Sequence, residues 1–156
     1  MEQFKTLDDL RDYANGLKKF YARPYTQGQH PTLYPNKEGT IVFGVRKADY
    51  LFSSCGQWVL PASNMGLSFS AHWQHLKGIY KMIQQRNGGK PVDVGWVLDE
   101  ISLPKGLAFK VDPNDKKKRH YLLTVTEMMH VSKLAAKLEW IADRMAKITD
   151  ATKVLK

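Results

Sequence analysis

The chain holds a single cysteine, Cys55. That excludes an intramolecular disulfide framework and a zinc centre built on several thiolates, and it fits a reducing compartment. A lone cysteine in LFSSCGQW is a candidate nucleophile, but such a residue is more often simply small and buried. Long apolar runs are missing as well: none approaches the roughly 18 residues that cross a bilayer. The opening MEQFKTLDDL carries early acids and no apolar block, which is not the make-up of a secretory signal peptide. A cytoplasmic location without a membrane partner is therefore expected. Acids are scarce, 15 against 24 Lys plus Arg, for a formal charge of +9. Only five of them are glutamates: Glu2, Glu38, Glu100, Glu127 and Glu139. No GxGxxG or Walker A phosphate loop occurs, and no serine sits in the GxSxG context of a hydrolase elbow.

What is present is a basic chain of one ordinary domain's size, 156 residues with 43% hydrophobic content, long enough for a real core. Residues 1–78 hold 9 basic and 6 acidic side chains, and residues 79–156 hold 15 and 9. Such an excess favours an anionic partner such as nucleic acid, an acidic protein or a phosphate-bearing ligand.

Periodicity predicts the elements. Leu7, Leu10, Ala14 and Leu17 mark a helix over 7–20, with Thr6 placed to cap it. Residues 22–39, ARPYTQGQHPTLYPNKEG, read as a long irregular loop. TIVFGVR (40–46) and QWVLP (57–61) read as strands. Trp73, Leu76, Ile79, Tyr80 and Ile83 predict an amphipathic helix over 71–86, ending before NGGKP. Residues 92–101 form a further strand, and 107–111 with 120–125 a pair joined by the basic turn DPNDKKKR. A last helix from about Met128 stacks Val131, Leu134, Leu138, Ile141, Met145 and Ile148. The expectation is an α+β fold over residues 1–156, a compact single domain with split mixed or antiparallel sheets flanked by helices.

The stretch NMGLSFSAHW (64–73) raises a functional question. On a strand, Leu67 and Phe69 share one face and Ser68 and Ser70 the other. The apolar pair faces a core, but two small hydroxyls are unusual on a solvent face. A structural account makes them a strand end, with Ser70 capping the next helix. HWQH puts His72 and His75 three apart on a helix, with no nearby carboxylate or thiol to complete a metal site, so no metal is expected. KKKRH (116–120) is a nucleic-acid patch or a solvated hairpin tip, and no aromatic residue is interleaved there to stack bases.

Trp58 and Pro61, then Gly66-Leu67-Ser68, Leu103-Pro104, His120-Tyr121 and Met129 occur in an order that resembles a family of small bacterial ADP-ribosyltransferase toxins. That family is met among type VI secretion effectors and in toxin–antitoxin settings. The likeness covers roughly residues 56–138. The resemblance implies a split β-fold that binds NAD in a cleft, cleaves the nicotinamide–ribose bond and transfers ADP-ribose to an acceptor. It implies that Ser68 positions the nicotinamide ribose, with Ser70 beside it. An early-strand arginine would grip the NAD phosphates through its forked donors, Arg46 first and Arg23 as the alternative. Glu127 would be the catalytic acid, with Glu100 next in line, and His120 would bind ligand. The acceptor is expected to be RNA or DNA ahead of protein, and a neutralising antitoxin or immunity protein is expected as partner. The rival expectation is a non-enzymatic basic nucleic-acid-binding module, in which the serines are structural and KKKR does the binding.

Overall fold

The computed structural model describes residues 19–148 together with Asp12. The chain is a mixed α+β protein with antiparallel sheets and two helices among the described residues. The helix expected over 7–20 lies outside the described residues except for Asp12, Lys19 and Phe20, and Phe20 already belongs to a strand. Two compact units share the chain. The first takes the described residues up to Pro31, Ser70–Ile101 and those from Arg144 on; the second takes Thr32–Phe69 and Ser102–Asp143.

In the first unit, β1 (Phe20–Thr26) pairs antiparallel along its whole length with β7 (Val92–Leu98), and β11 (Ala146–Ile148) lies on β7's other side. Every residue of β7 is buried, as a central strand covered on both faces requires. Helix α1 (Trp73–Arg86) sets Trp73, Leu76 and Tyr80 against Phe20, Ala22, Val92, Val94, Trp96 and Leu98. Its spacing of three and four is the one read from the sequence. Strand β1 corrects the expected loop over 22–39, which begins only after Thr26. Pro24 is tolerated there because β1 meets its second neighbour, β6 (Leu67–Ser70), only at Ala22↔Ser70. On that side Pro24 owes no donor.

The opposite face of β1 carries Tyr21, Arg23 and Tyr25. Tyr25 is buried across from Asp93, and its hydroxyl has no hydrogen-bond partner among the described residues. Burial, with the Asp93 charge, pushes the phenol up to about 12. The raised value fixes the sign of a pH effect. Tyr25 contributes its stabilisation fully below about pH 10, where unfolded tyrosine is neutral, and loses it as pH rises toward about 12. Tyr25→Phe is expected to leave neutral stability intact, because it removes an unpaired polar group, and to blunt the alkaline fall in melting temperature. Phenolate absorbance of parent and variant across that window is the check.

In the second unit, β2 (Ile41–Val42) and β3 (Val45–Arg46) form a hairpin, correcting the single strand expected over 40–46. β4 (Leu51–Phe52), β5 (Trp58–Leu60) and β10 (Met129–His130) form a second sheet. β8 (Leu107–Val111) and β9 (His120–Val125) form the expected pair, with Leu107 opposite Val125 and Val111 opposite Tyr121, and β6 lies beside β9. Tyr50 ties these pieces together: its hydroxyl donates to the Leu123 carbonyl at 2.8 Å and accepts from Leu67 N at 3.3 Å. Helix α2 (Val131–Arg144) buries Val131, Leu134, Leu138, Ile141 and Ala142. It starts three residues later than its expected origin at Met128, because Met129 and His130 pair with Val59 and Trp58 as β10. Ile148, counted in the helical stripe, lies on β11 instead.

Candidate functional site

Strand β6 is held by close packing. Leu67 and Phe69 are buried, and Phe69 meets Phe109 edge-on at 5.0 Å between centroids. Ser68, on the other face, is exposed. The two hydroxyls part company here. Ser70 is buried in the first unit, and its Oγ lies 2.7 Å from His75 Nδ1. It does not cap α1. That role falls to His72, whose Nδ1 accepts from Gln74 N at 3.2 Å. His72 and His75 thus have structural partners, and no group of three His, Cys, Asp or Glu gathers among the described residues.

Arg46 ends β3 on the surface. Its guanidinium grips Asp49 through two nitrogens, at 2.8 and 3.2 Å, and lies 4.7 Å from the centre of the Tyr34 ring. The Asp49 hydrogen bond holds the guanidinium pKa above its ordinary value, so the charge is permanent. Arg23 belongs to the first unit, where it pairs with Gly95. Alternation puts it on the face away from Ala22 and Ala22's partner Ser70. His120 opens β9 with Nδ1 2.8 Å from Asp112 Oδ2. Glu127 stands exposed in the bend between β9 and β10, outside α2, whose first turn holds no acid. The second unit therefore contains Ser68, Arg46, His120 and Glu127, while Arg23 and Ser70 stand in the first on opposite faces. Glu100 is exposed just past β7, in the first unit.

Comparison with protein families, with characterised proteins and with solved structures finds no match to this chain. The candidate site is thus built from its own geometry.

The β8–β9 turn is organised from within. Asp115 accepts from the main-chain N–H groups of Lys117, Arg119 and His120 at 3.1, 2.6 and 2.6 Å. These bonds, the His120 N–H first, hold its carboxyl below the usual carboxylate range. Asp112 is spent on Asn114 N and His120. Both acids face the turn's own groups, and Lys116, Lys117 and Lys118 are left exposed.

Two other features escaped the sequence reading. Cys55 is exposed, not buried, in the β4–β5 turn, and hydrogen bonds from Ser53 and the Gln57 main chain hold its thiol below the ordinary range. An aromatic cluster also breaks the surface: His130 meets Phe43 and Trp58 edge-to-face at 6.4 and 5.5 Å. The available signal was Phe-Gly standing where a hairpin normally has Asn-Gly. An open groove of about 430 Å³ between the Leu103-Pro104 segment and α2 is lined by Lys133, Lys137 and Trp140.

Proposed function

We propose that the chain is a NAD-consuming toxin that transfers ADP-ribose to an intracellular acceptor, nucleic acid ahead of protein. The observation that carries this reading is the split character of β6. Leu67 and Phe69 lock the strand into the core, and Ser68 is exposed on the other face of a strand beside β9. β9 begins at His120 and leads out to Glu127. A hydroxyl that hydrogen-bonds without filling space suits a ribose. A carboxylate suits the positive charge that develops at C1′ as the nicotinamide leaves with the bonding electron pair. The acceptor nucleophile then bonds to C1′, and its proton passes to Glu127 or to water.

Arg46 grips a pyrophosphate in this scheme only by giving up Asp49. Arg23 remains the alternative. A NAD consumer active in its own cytoplasm requires neutralisation, so an antitoxin or immunity protein belongs to the proposal. A second reading, a non-enzymatic basic module, is favoured by the inward-turned acids of the β8–β9 turn, which leave three lysines presented. No helix among the described residues is long and apolar enough to cross a membrane.

One experiment separates the two. Incubation with NAD is expected to release free nicotinamide. A non-hydrolysable NAD analogue at a hundredfold its dissociation constant is expected to add about 2.7 kcal/mol, a rise of a few degrees in melting. Free phosphate is expected to add nothing. No nicotinamide and no shift sinks the enzyme and leaves the binding module.

A further inference from the structure

We propose that the β2–β3 tip and the start of β5, at Trp58, form a stacking site for single-stranded nucleic acid. Phe43 and Trp58 would be its base platforms, and Arg46 and Lys47 its backbone cations. Phe43 carries the argument. Val42 pairs with Val45, so Phe43 and Gly44 are the two residues of the hairpin loop. Both have positive φ, 53° and 83°, as such a loop demands. Gly44 is explained by packing: a Cβ there would lie 3.0 Å from the Leu33 Cβ. Asn36 also accepts from its N–H at 2.7 Å. Phe43 is not explained by folding. A bulky residue at positive φ is strained, and Phe43 is 54% exposed. Strain retained at an exposed aromatic residue points to function.

The neighbours complete a site. Trp58 is 40% exposed. His130 pairs with Trp58 across β10–β5 and meets both rings edge-to-face, not by flat stacking. His130 is itself fixed, because Ser132 N donates to its Nδ1 at 3.1 Å. Arg46 pairs with Ile41 at the base of the hairpin, and Lys47 follows it with its ammonium 6.0 Å from the centre of the Phe52 ring. Arg46 is bridged to Asp49 and meets a phosphate only by giving up that pair, so Lys47 is the first backbone cation of the site. An acidic protein would need only the cations. Exposed flat rings beside cations are what the bases and phosphates of a single strand require together. The Lys116–Lys118 tip lacks those rings. The stacking site stands without the enzyme reading.

The test is binding of a labelled single-stranded oligo(U) and oligo(dT), with heparin as a polyanion that has no bases. The chain is expected to bind both oligonucleotides. Phe43→Asn puts the preferred residue into the loop, so it is expected to raise the melting temperature while weakening oligonucleotide binding about tenfold. Trp58→Ser is expected to weaken binding by a similar factor. Heparin affinity should hold in both variants. Unchanged oligonucleotide affinity in Phe43→Asn, or equal loss for heparin, overturns the proposal. So does a fall in its melting temperature, which would make the ring structural, or a parent chain that binds neither oligonucleotide. Nicotinamide release by the parent chain is scored separately, so failure of either idea leaves the other standing.

Discussion

Replacing Glu127 by Gln is expected to lower NAD cleavage a hundred- to a thousandfold and to leave NAD binding nearly intact. The substitution keeps shape and removes charge. If the carboxylate faces the oxocarbenium-like centre, the lost interaction belongs to the transition state. Removing one preorganised electrostatic partner commonly costs about 2.7–4 kcal/mol. The structure makes this a clean measurement. Glu127 is exposed and lies outside the first turn of α2, so no helix-dipole stabilisation is lost with it. A drop in turnover without a drop in melting temperature would therefore report chemistry. Ser68→Ala is the milder companion. It deletes one neutral hydrogen bond, worth about 0.5–1.5 kcal/mol or up to roughly tenfold in rate. Cleavage at the parent rate by the Gln variant would remove Glu127 from the role, and Glu100 would be tested next. Full activity in both variants would move the site elsewhere.

Gly66→Ala is expected to cost the fold more than any other single methyl group discussed here. The added Cβ would sit 2.6 Å from the Leu123 carbonyl oxygen, 2.8 Å from its carbon and 3.1 Å from the Leu122 Cβ. The two nearest atoms are main chain on a neighbouring strand and cannot swing away as a side-chain tip can. Overpacking of this kind costs about 1–3 kcal/mol, a loss of several degrees for a domain of this size. The strand that must move carries Ser68, so any activity that depends on Ser68 should fall further than the unfolded fraction explains. Gly78→Ala on α1 is the control. Nothing lies within 4 Å of its added Cβ, and a helix-interior Gly→Ala change is expected to gain about 0.5–1 kcal/mol. Thermal melts of the two variants side by side test the contrast. A Gly66→Ala chain that melts with the parent would mean β6 and β9 have slack.

Elements whose information is local were legible. The stripes Trp73–Leu76–Tyr80 and Leu134–Leu138–Ile141 recur every three or four residues, and both became helices. LAFKV and HYLLTV flank a turn-rich segment, and they pair as expected. The alternation in LSFS correctly put Leu67 and Phe69 in the core. Errors fell where a residue's role depends on a distant partner. ARPYT reads as part of the loop over 22–39 because that stretch holds three prolines and two glycines, yet at Pro24 β1 needs no donor once its pairing with β6 ends at Ala22. TIVFGVR reads as one strand because Phe-Gly is a poor turn signal, yet the loop is closed by Asn36 and Leu33 from elsewhere in the chain.

The candidate site divides in the same way. The residue types that suit NAD chemistry, two serines on one strand face, forked arginines and a few glutamates, are visible in the chain itself. Their environments are not. Ser68 and Ser70 are equivalent by alternation, and only packing buries one against His75 and leaves the other exposed. Arg46 becomes an ion pair because the turn after β3 brings Asp49 under it. The histidine cap at the start of α1 depends on an Nδ1 lone pair directed at an amide two residues on, a geometry no composition rule encodes. By itself the sequence determined the fold class, both described helices and the β8–β9 hairpin, because period and turn chemistry act over a few residues. Tertiary structure decided which polar groups are spent on the fold and which remain to bind, because burial is set by strands far apart in the chain, and even the short-range pairs Arg46–Asp49 and Ser70–His75 need the backbone path that this packing fixes.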